Sequence, residues 1–141
     1  MAYWLFKSEP DVWSWTQQKA KGKAGEEWTG VRNYQARNNM RAMQLGDKGF
    51  FYHSNEGKEI VGLVEVCTLA HPDSTDLNWE CVDIRALMDV PKPVTLADVK
   101  AKPELAKMSL VASMRLSVQP VTAQEWKIVC GMAGFKAKEI P

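Results

Sequence analysis

The sequence predicts an α+β fold in one domain, with a largely antiparallel or mixed sheet of about five strands and about four short helices. The 141 residues suffice for one hydrophobic core and contain no internal repeat, linker or low-complexity stretch, so we expect a single domain over residues 1–141. Strand-like segments follow one another between residues 49 and 88 without a helix between them. That order favours neighbouring antiparallel strands, while capping signals elsewhere predict helices.

Five segments have the pattern of strands. The first, residues 3–7, is aromatic and is followed by a proline, which cannot donate to a ladder. In residues 79–88, apolar Val82 and Ile84 alternate with charged residues, which is the period of a half-buried strand. The other strands are expected at residues 49–53, 59–69 and 110–118.

The helices are predicted from their start signals and from one apolar stripe. Capping boxes predict short helices that begin after Ser14, Thr95 and Thr122, because each is followed three residues later by Gln, Asp or Glu. The clearest helix covers residues 33–44, before a glycine suited to a helix end. Its apolar residues recur at helical spacing and form one stripe, namely Ala36, Met40 and Met43.

Composition excludes several classes of protein. With 18 basic and 17 acidic residues the formal charge is +1, so any contact with nucleic acid must come from a local patch. Three scattered cysteines form no CxxC pair and no Cys/His cluster, so we expect reduced thiols and no metal site. No signal peptide and no apolar run of the roughly 20 residues of a membrane span is seen, so we expect an intracellular, cytoplasmic protein without membrane contact.

Tryptophan is abundant, with six in the chain, and we expect at least one to line a ligand site. The segment from Trp28 to Asn33 combines an indole, a glycine for close approach, a guanidinium and an amide at a loop-to-helix junction. Those are the groups needed to stack an extruded base and to read its edge. Arg37 and Arg41 share a helix face with no acid between residues 28 and 46, so we expect them to bind phosphates.

Motifs of catalysis are absent. The chain has no nucleophile elbow, no zinc-protease helix motif and no glycine-rich phosphate loop. His71 is expected on a surface loop, whereas His53 ends a strand, where a structural hydrogen bond and pocket lining are alternatives. A nucleophilic Ser8 activated by His53 stays open, because triads assemble from distant residues.

Blocks of sequence along nearly the whole chain resemble EVE-domain proteins. The two longest are Tyr3-Trp4-Leu5-Phe6-Lys7-Ser8-Glu9-Pro10 and Trp28-Thr29-Gly30-Val31-Arg32-Asn33-Tyr34-Gln35-Ala36-Arg37-Asn38. The shorter ones are Gly46-Asp47, Phe51-Tyr52-His53-Ser54-Asn55, Val61-Gly62, Pro93-Val94-Thr95-Leu96 and Arg115-Leu116-Ser117-Val118-Gln119-Pro120-Val121. Because the blocks are long and occur in order, the resemblance is specific.

The resemblance implies a PUA-like fold, which is a small, partly open mixed β-barrel flanked by short helices and akin to YTH and ASCH domains. It also implies a non-catalytic module without a cofactor that binds a modified base, such as 5-methylcytosine or 5-hydroxymethylcytosine in DNA or a modified base in RNA. We expect the base to be flipped into an aromatic pocket. The expected pocket residues are Lys7, Ser8, Glu9, Trp28, Arg32, Asn33, His53, Ser54, Arg115 and Ser117, and the expected phosphate ligands are Arg37 and Arg41.

Two other functions stay open from the residues alone. One is a hydrolase or another enzyme of modified-nucleotide metabolism that uses Ser8, Glu9 and His53. The other is an adaptor for a protein or a small molecule, which the near-neutral charge would fit. Turnover of a modified nucleotide would favour the enzyme, and titration with a mononucleotide would separate the two binding functions.

Overall fold

The structure is a computed structural model that describes every residue, Met1–Pro141. Its six strands are β1 (Tyr3–Ser8), β2 (Glu26–Glu27), β3 (Lys48–His53), β4 (Glu59–Asp73), β5 (Asp76–Thr95) and β6 (Val118–Val121). Its five α-helices are α1 (Trp15–Ala20), α2 (Tyr34–Ala42), α3 (Leu96–Lys100), α4 (Ser109–Ala112) and α5 (Ala123–Met132). Short 3₁₀ helices lie at Gly22–Ala24, Pro103–Leu105 and Ala137–Glu139.

All six strands belong to one mixed sheet in the order β2-β5-β4-β3-β1-β6. Strands β1 and β3 are parallel, and the other neighbouring pairs are antiparallel. The edge strands β2 and β6 do not pair with each other, so the sheet is open and not closed into a barrel. The predicted α+β class with a mixed sheet is confirmed.

The parallel pair fixes the position of several loops. Parallel strands need a long crossover connection, and here α1, β2 and α2 lie between β1 and β3 in the chain. Because parallel strands end at the same edge of a sheet, Ser8 lies opposite His53. The backbone amide of Ser54 donates to the carbonyl of Ser8 at 2.9 Å. The segments that follow these two strands therefore start side by side.

Other elements pack on both faces of the sheet. Each face contributes to one hydrophobic cluster of buried side chains. Successive strand residues point to opposite faces, so Phe6 lies in the first cluster and Leu5 in the second. In the second cluster, Trp126 of α5 stacks on Phe50 with ring centroids 4.2 Å apart. The predicted apolar stripe of α2 packs into the first cluster, and all three residues are buried: Ala36, Met40 and Met43.

Local capping chemistry starts most of the helices, as predicted. The hydroxyls of Ser14, Thr95 and Thr122 each accept a bond from the backbone amide three residues later, and each capping box is complete. Asn33 caps α2 by accepting from the amide of Ala36 at 2.9 Å. Such caps contribute about 1 kcal/mol each to stability. None of the helices has the length and hydrophobicity needed to span a lipid bilayer.

The predicted strand at residues 110–118 is wrong over most of its length. Residues Ser109–Ala112 form α4, and β6 begins only at Val118. The apolar side chain of Leu110 that suggested a strand is buried in the second cluster instead. A turn then follows, in which the amide of Leu116 donates to the carbonyl of Ser113 at 3.1 Å.

Strands β4 and β5 extend beyond their predicted ends, and β2 was not predicted at all. The prolines and polar residues that suggested loops are accommodated by irregularities in the β4–β5 ladder, where the register shifts. His71 therefore lies in β4 and not in a surface loop. The two residues of β2 are too few to show a strand period.

Candidate functional site

A cleft of about 900 Å³ lies where the ends of β1 and β3 meet the loop between β2 and α2. The turn between β4 and β5 and the segment before β6 complete its walls. The backbone amide of Lys7 donates to the carbonyl of Ser117 at 2.9 Å, which joins two of these walls. The cleft is lined by residues 7–9, 12–13, 26–32, 54–55, 74–75, 114–115 and 117.

Trp28 lies in the cleft wall and in the hydrophobic core at once. It is only 7% exposed, and its ring meets Phe6 and Phe51 edge-on, with centroids 5.4 Å and 5.6 Å away. Its indole N–H has no acceptor in the protein, whereas four other tryptophans donate theirs. The buried polar atoms that lack a partner do not include this N–H, so the cleft leaves it accessible.

Trp13 is the second indole of the cleft, and it is only partly buried. Its N–H donates to Oε1 of Gln18 at 2.9 Å. Gln18 is itself fully buried, and its amide donates to the carbonyl of Ile84 at 3.0 Å. The carbonyl of Trp13 accepts from the Ser8 hydroxyl at 2.7 Å. These bonds hold the indole in place while part of its surface stays in contact with solvent.

A fully buried carboxylate, Asp73, joins two walls of the cleft. Its Oδ2 accepts from the amide of Gly30 at 2.9 Å and from Nη1 of Arg32 at 3.2 Å. Its Oδ1 accepts from the amide and the hydroxyl of Thr75, at 2.7 and 2.6 Å. Burial alone would raise the pKa of Asp73, but these bonds outweigh it and lower the pKa to about 2. Asp73 therefore fixes the loop before α2 against the β4–β5 turn.

Arg32 braces this wall and is not a free cation. Besides Asp73, its guanidinium donates to the hydroxyl of Thr75 at 3.1 Å. It also lies 5.6 Å from the ring centroid of Trp79. A guanidinium held by a carboxylate, a hydroxyl and an aromatic face positions the cleft wall.

Lys7 stands at another wall of the cleft. Its ammonium donates to the carbonyl of Met114 and lies 5.9 Å from the ring centroid of Tyr52. Burial lowers the pKa of the Lys7 ammonium. Because no carboxylate pairs with it, Lys7 presents an unneutralised charge to the cleft.

Comparison with known proteins identifies the family. The chain matches the EVE domain over residues 2–132. It belongs to the EVE domain family. Thymocyte nuclear protein 1 of Mus musculus is 35% identical over 164 residues, which cover 92% of this chain and 73% of that protein. A protein from Agrobacterium tumefaciens has a solved structure with a TM-score of 0.96 and 69% identity, covering 99% of this chain and 97% of that one.

A human relative was solved with a ligand. The human THYN1 protein, in complex with DNA that contains 5-methylcytosine, superposes with a TM-score of 0.88 at 32% identity, covering 96% of this EVE domain and 99% of that chain. A YTH domain from Zygosaccharomyces rouxii superposes with a TM-score of 0.57 at 13% identity, over 96% of this chain and 85% of that one. At that identity the likeness shows the fold alone, and it agrees with the predicted similarity in fold to YTH domains.

Eight of the ten predicted pocket residues line the cleft of this EVE domain. They are Lys7, Ser8, Glu9, Trp28, Arg32, Ser54, Arg115 and Ser117. The structure thus brings together residues from both ends of the sequence, and the role of each in binding stays a prediction. Trp28 belongs to the hydrophobic core as well, because its ring packs edge-on against two buried phenylalanines.

The other two predicted pocket residues, Asn33 and His53, do not line the cleft. The side chain of Asn33 is used to cap α2. Nε2 of His53 accepts from the backbone amide of Trp15 at 3.0 Å, and its ring meets Phe51 edge-on. Burial lowers the pKa of His53, so the neutral form that can accept this bond is favoured. Both polar side chains serve the scaffold, because each satisfies a backbone amide.

The prediction that no acid neutralises the arginines on one face of α2 is wrong for Arg41. Its Nε donates to Glu80 of β5, so a carboxylate far away in sequence neutralises it. Arg37 has no carboxylate partner, and neither has Arg115. Among the predicted site residues, the cations without a carboxylate partner are therefore Lys7 and Arg115, which line the cleft, and Arg37 on α2.

Glu27, His71 and Cys81 place one potential metal ligand each within 4.8 Å of the others. Both ring nitrogens of His71 already lie near acceptors, since Nε2 is 2.7 Å from Asp83 and Nδ1 is 2.9 Å from the carbonyl of Pro72. The hydrogen bond that His71 donates to the carboxylate of Asp83 raises the pKa of His71. Burial and the neighbouring carboxylates raise the pKa of Cys81 to about 12, which keeps the thiol protonated. We assign no metal to this group.

Proposed function

We propose that this EVE domain binds nucleic acid carrying a modified base, and that the cleft holds this base without converting it. The observation that supports this most is the combination, in and around one cleft, of two fixed indoles with basic side chains that lack a carboxylate partner. Recognition of a base outside its duplex needs an aromatic surface, a few fixed polar groups and contacts to phosphates. The solved complex of the human relative with 5-methylcytosine DNA agrees with this proposal.

The lining of the cleft suits a base that has left its stack, and the cleft is large enough to hold one. Its volume of about 900 Å³ lies within the roughly 300–1,000 Å³ of typical ligand pockets. The free N–H of Trp28 offers a donor to an acceptor on the base edge. Val12 and Met114, both exposed cleft residues, offer the apolar contact that a methyl group on a pyrimidine favours.

The geometry does not support the hydrolase alternative. A nucleophilic serine needs its hydroxyl hydrogen-bonded to a general base. Here the Ser8 hydroxyl donates to the carbonyl of Trp13, while Nε2 of His53 is occupied by the amide of Trp15. The cysteines are no better as nucleophiles, because burial raises the pKa of Cys130, like that of Cys81, to about 12. The proposed module is therefore a reader and not a catalyst.

The proposal is tested by comparing a paired, a mismatched and a single-stranded target. Extrusion from a duplex costs a few kcal/mol and costs less at a mismatch. We therefore expect DNA with one 5-methylcytosine to bind more tightly when that base is mismatched or single-stranded than when it is paired with guanine. Fluorescence titration measures the three affinities, and the same oligonucleotides with cytosine serve as controls. Equal affinity for all six would contradict the proposal, since it would indicate contact with the backbone alone.

The basic residues around the cleft allow a second prediction. Changing Arg37 to Gln should weaken binding to all sequences alike and should reduce the slope of log affinity against log salt by about one unit, as expected for one lost phosphate contact. Arg41→Gln is the matched control in the same helix. Because Glu80 already neutralises Arg41, we expect a smaller change in slope there. A larger change for Arg41→Gln than for Arg37→Gln would place the phosphates elsewhere.

A further inference from the structure

Beside the cleft, two aromatic side chains form a stack that the proposed function does not use. Tyr34, the first residue of α2, stacks on Trp79 of β5 with ring centroids 5.2 Å apart and an angle of 27° between the planes. Tyr34 is 66% exposed. We call this pair the aromatic shelf.

One face of Tyr34 in the aromatic shelf is open. The guanidinium of Arg37 lies 4.9 Å from the ring centroid of Tyr34 and 5.8 Å from that of Trp79. These two distances are close to the 5.2 Å between the rings, so the three groups form a nearly equilateral triangle. Arg37 therefore lies beside the stack, and it cannot cover the face of Tyr34 that points away from Trp79.

Charge at the aromatic shelf is positive and unneutralised. Arg37 makes one side-chain hydrogen bond, from Nη2 to Asn38 at 3.3 Å, and its Nε is buried without a partner. The first turn of α2 contains no acidic residue. The terminal N–H groups of the guanidinium, apart from the one bonded to Asn38, are left for a ligand, whereas the buried Nε is not. An anionic ligand meets no opposing charge on this turn.

The aromatic shelf is continuous with the cleft. Arg32 lines the cleft and also lies 5.6 Å from the ring centroid of Trp79. The shelf is therefore the aromatic surface next to this wall of the cleft. An open aromatic face beside an unpaired guanidinium fits a nucleotide, because every base has a face that stacks and every nucleotide brings a phosphate.

We infer that the aromatic shelf stacks the base next to the one in the cleft, and that Arg37 binds the phosphate between the two nucleotides. This inference rests on the proposed function and adds a second binding site to it. Stacking tolerates any base, so the shelf contributes affinity and not discrimination of the modification. The cleft alone distinguishes a modified base from an unmodified one.

The test uses single-stranded DNA with one central 5-methylcytosine, and two versions in which the 5′ or the 3′ neighbour is an abasic site. Tyr34→Ala should weaken binding of the intact strand by on the order of fivefold or more, as for loss of a stacked base. It should have little effect on one of the two abasic strands, where the stacked base is already missing. Tyr34→Phe keeps the ring and should keep the affinity. Leu45→Ala, which removes another exposed apolar side chain beyond the end of α2, should change nothing.

The possible outcomes distinguish failure of the inference about the aromatic shelf from failure of the proposed function. If Tyr34→Ala binds the intact strand as well as the wild type does, the inference about the aromatic shelf is overturned, whereas the proposed function of the cleft is not. If the loss is the same for the intact strand and both abasic strands, Tyr34 does not stack the neighbouring base, and the inference is also overturned. If the wild type binds none of the strands, both proposals fail. The ratio of affinities for 5-methylcytosine and cytosine strands should be the same in Tyr34→Ala as in the wild type. A fall of that ratio towards one would contradict the inference that the cleft alone distinguishes the modified base.

Discussion

Replacing Asp73 with asparagine is expected to lower the free energy of unfolding by about 2–4 kcal/mol, because donors that now bond a buried carboxylate would be left without a charged acceptor. The carboxylate is fully buried and accepts bonds from Gly30, Arg32 and Thr75 on both oxygens. Asparagine has nearly the same shape, but its amide nitrogen would face donors in either orientation. The substitution therefore leaves donors unpaired and a guanidinium without its counter-charge. For a chain of this length we expect a fall in Tm of about 10 °C or more.

The pH dependence of stability provides a second readout for Asp73. Its pKa is lowered from 3.8 to about 2, and a shift of that size corresponds to about 2 kcal/mol of stability. Because the folded-state pKa is the lower one, this contribution is complete above about pH 5 and is lost as the pH falls towards 2. Asp73→Asn has no carboxyl to titrate. The difference in stability between the two proteins should therefore shrink as the pH falls through this window.

Denaturant unfolding at pH 7, 4 and 2.5 measures both effects. Asp76→Asn is the matched control, because Asp76 lies in the same turn and its side chain accepts a single bond, from the amide of Asn78 at 3.1 Å. We expect that variant to lose no more than about 1 kcal/mol. An Asp73→Asn protein within 1 kcal/mol of the wild type at pH 7 would show that the carboxylate does not hold the two cleft walls together.

The same residues show what the sequence could and could not predict about the fold. Helix starts depend on groups three residues apart, so Ser14, Thr95 and Thr122 were identified correctly as caps. The long strands β4 and β5 were underestimated, since prolines that usually end a strand are tolerated at bulges in this ladder. The segment around Leu110 shows the opposite error, because a short apolar run has the same pattern in a buried helical turn as in a strand.

In the candidate site, too, some residues could be predicted from the sequence and others could not. Motif resemblance predicted eight of the 19 residues that line the cleft, although these eight lie far apart in the chain. It did not predict Asp73 or Glu80, whose partners are about 40 residues away in sequence. It did not single out Trp13 either, and only the fold shows that this residue lines the cleft. Charge on a helix face can be judged only when the elements packed against that face are known.

Replacing Trp28 with alanine is expected to cost about 3–5 kcal/mol of folding stability, the usual range for removing a buried aromatic side chain. Trp28 belongs to the first hydrophobic cluster and packs edge-on against Phe6 and Phe51. Its loss would leave a cavity between the sheet and the cleft. Binding would then fall for every ligand, because part of the protein is unfolded or the cleft wall is displaced. That variant cannot separate a role in binding from a role in packing.

Trp28→Phe makes this separation possible. Phenylalanine keeps an aromatic ring between Phe6 and Phe51, so we expect a loss of only about 1–3 kcal/mol in stability. It removes the indole N–H that has no acceptor in the protein and that the cleft leaves accessible. If that N–H bonds to the base edge, Trp28→Phe should reduce the preference for a 5-methylcytosine strand over an abasic strand by about five- to tenfold, the worth of one hydrogen bond. Binding to the phosphates should persist, because Lys7, Arg37 and Arg115 are unchanged.

Trp13→Ala completes the comparison of the two indoles. Trp13 has more of its surface in solvent than Trp28, so it offers the larger area for stacking, and its removal should cost less stability. We expect it to reduce affinity for the same strand by about 1–3 kcal/mol, the contribution of one stacked base. Thermal denaturation run beside each titration shows whether the variants are folded. Full base preference in both Trp28→Phe and Trp13→Ala, with the proteins folded, would mean that neither indole contacts the base and that the ligand lies outside the cleft.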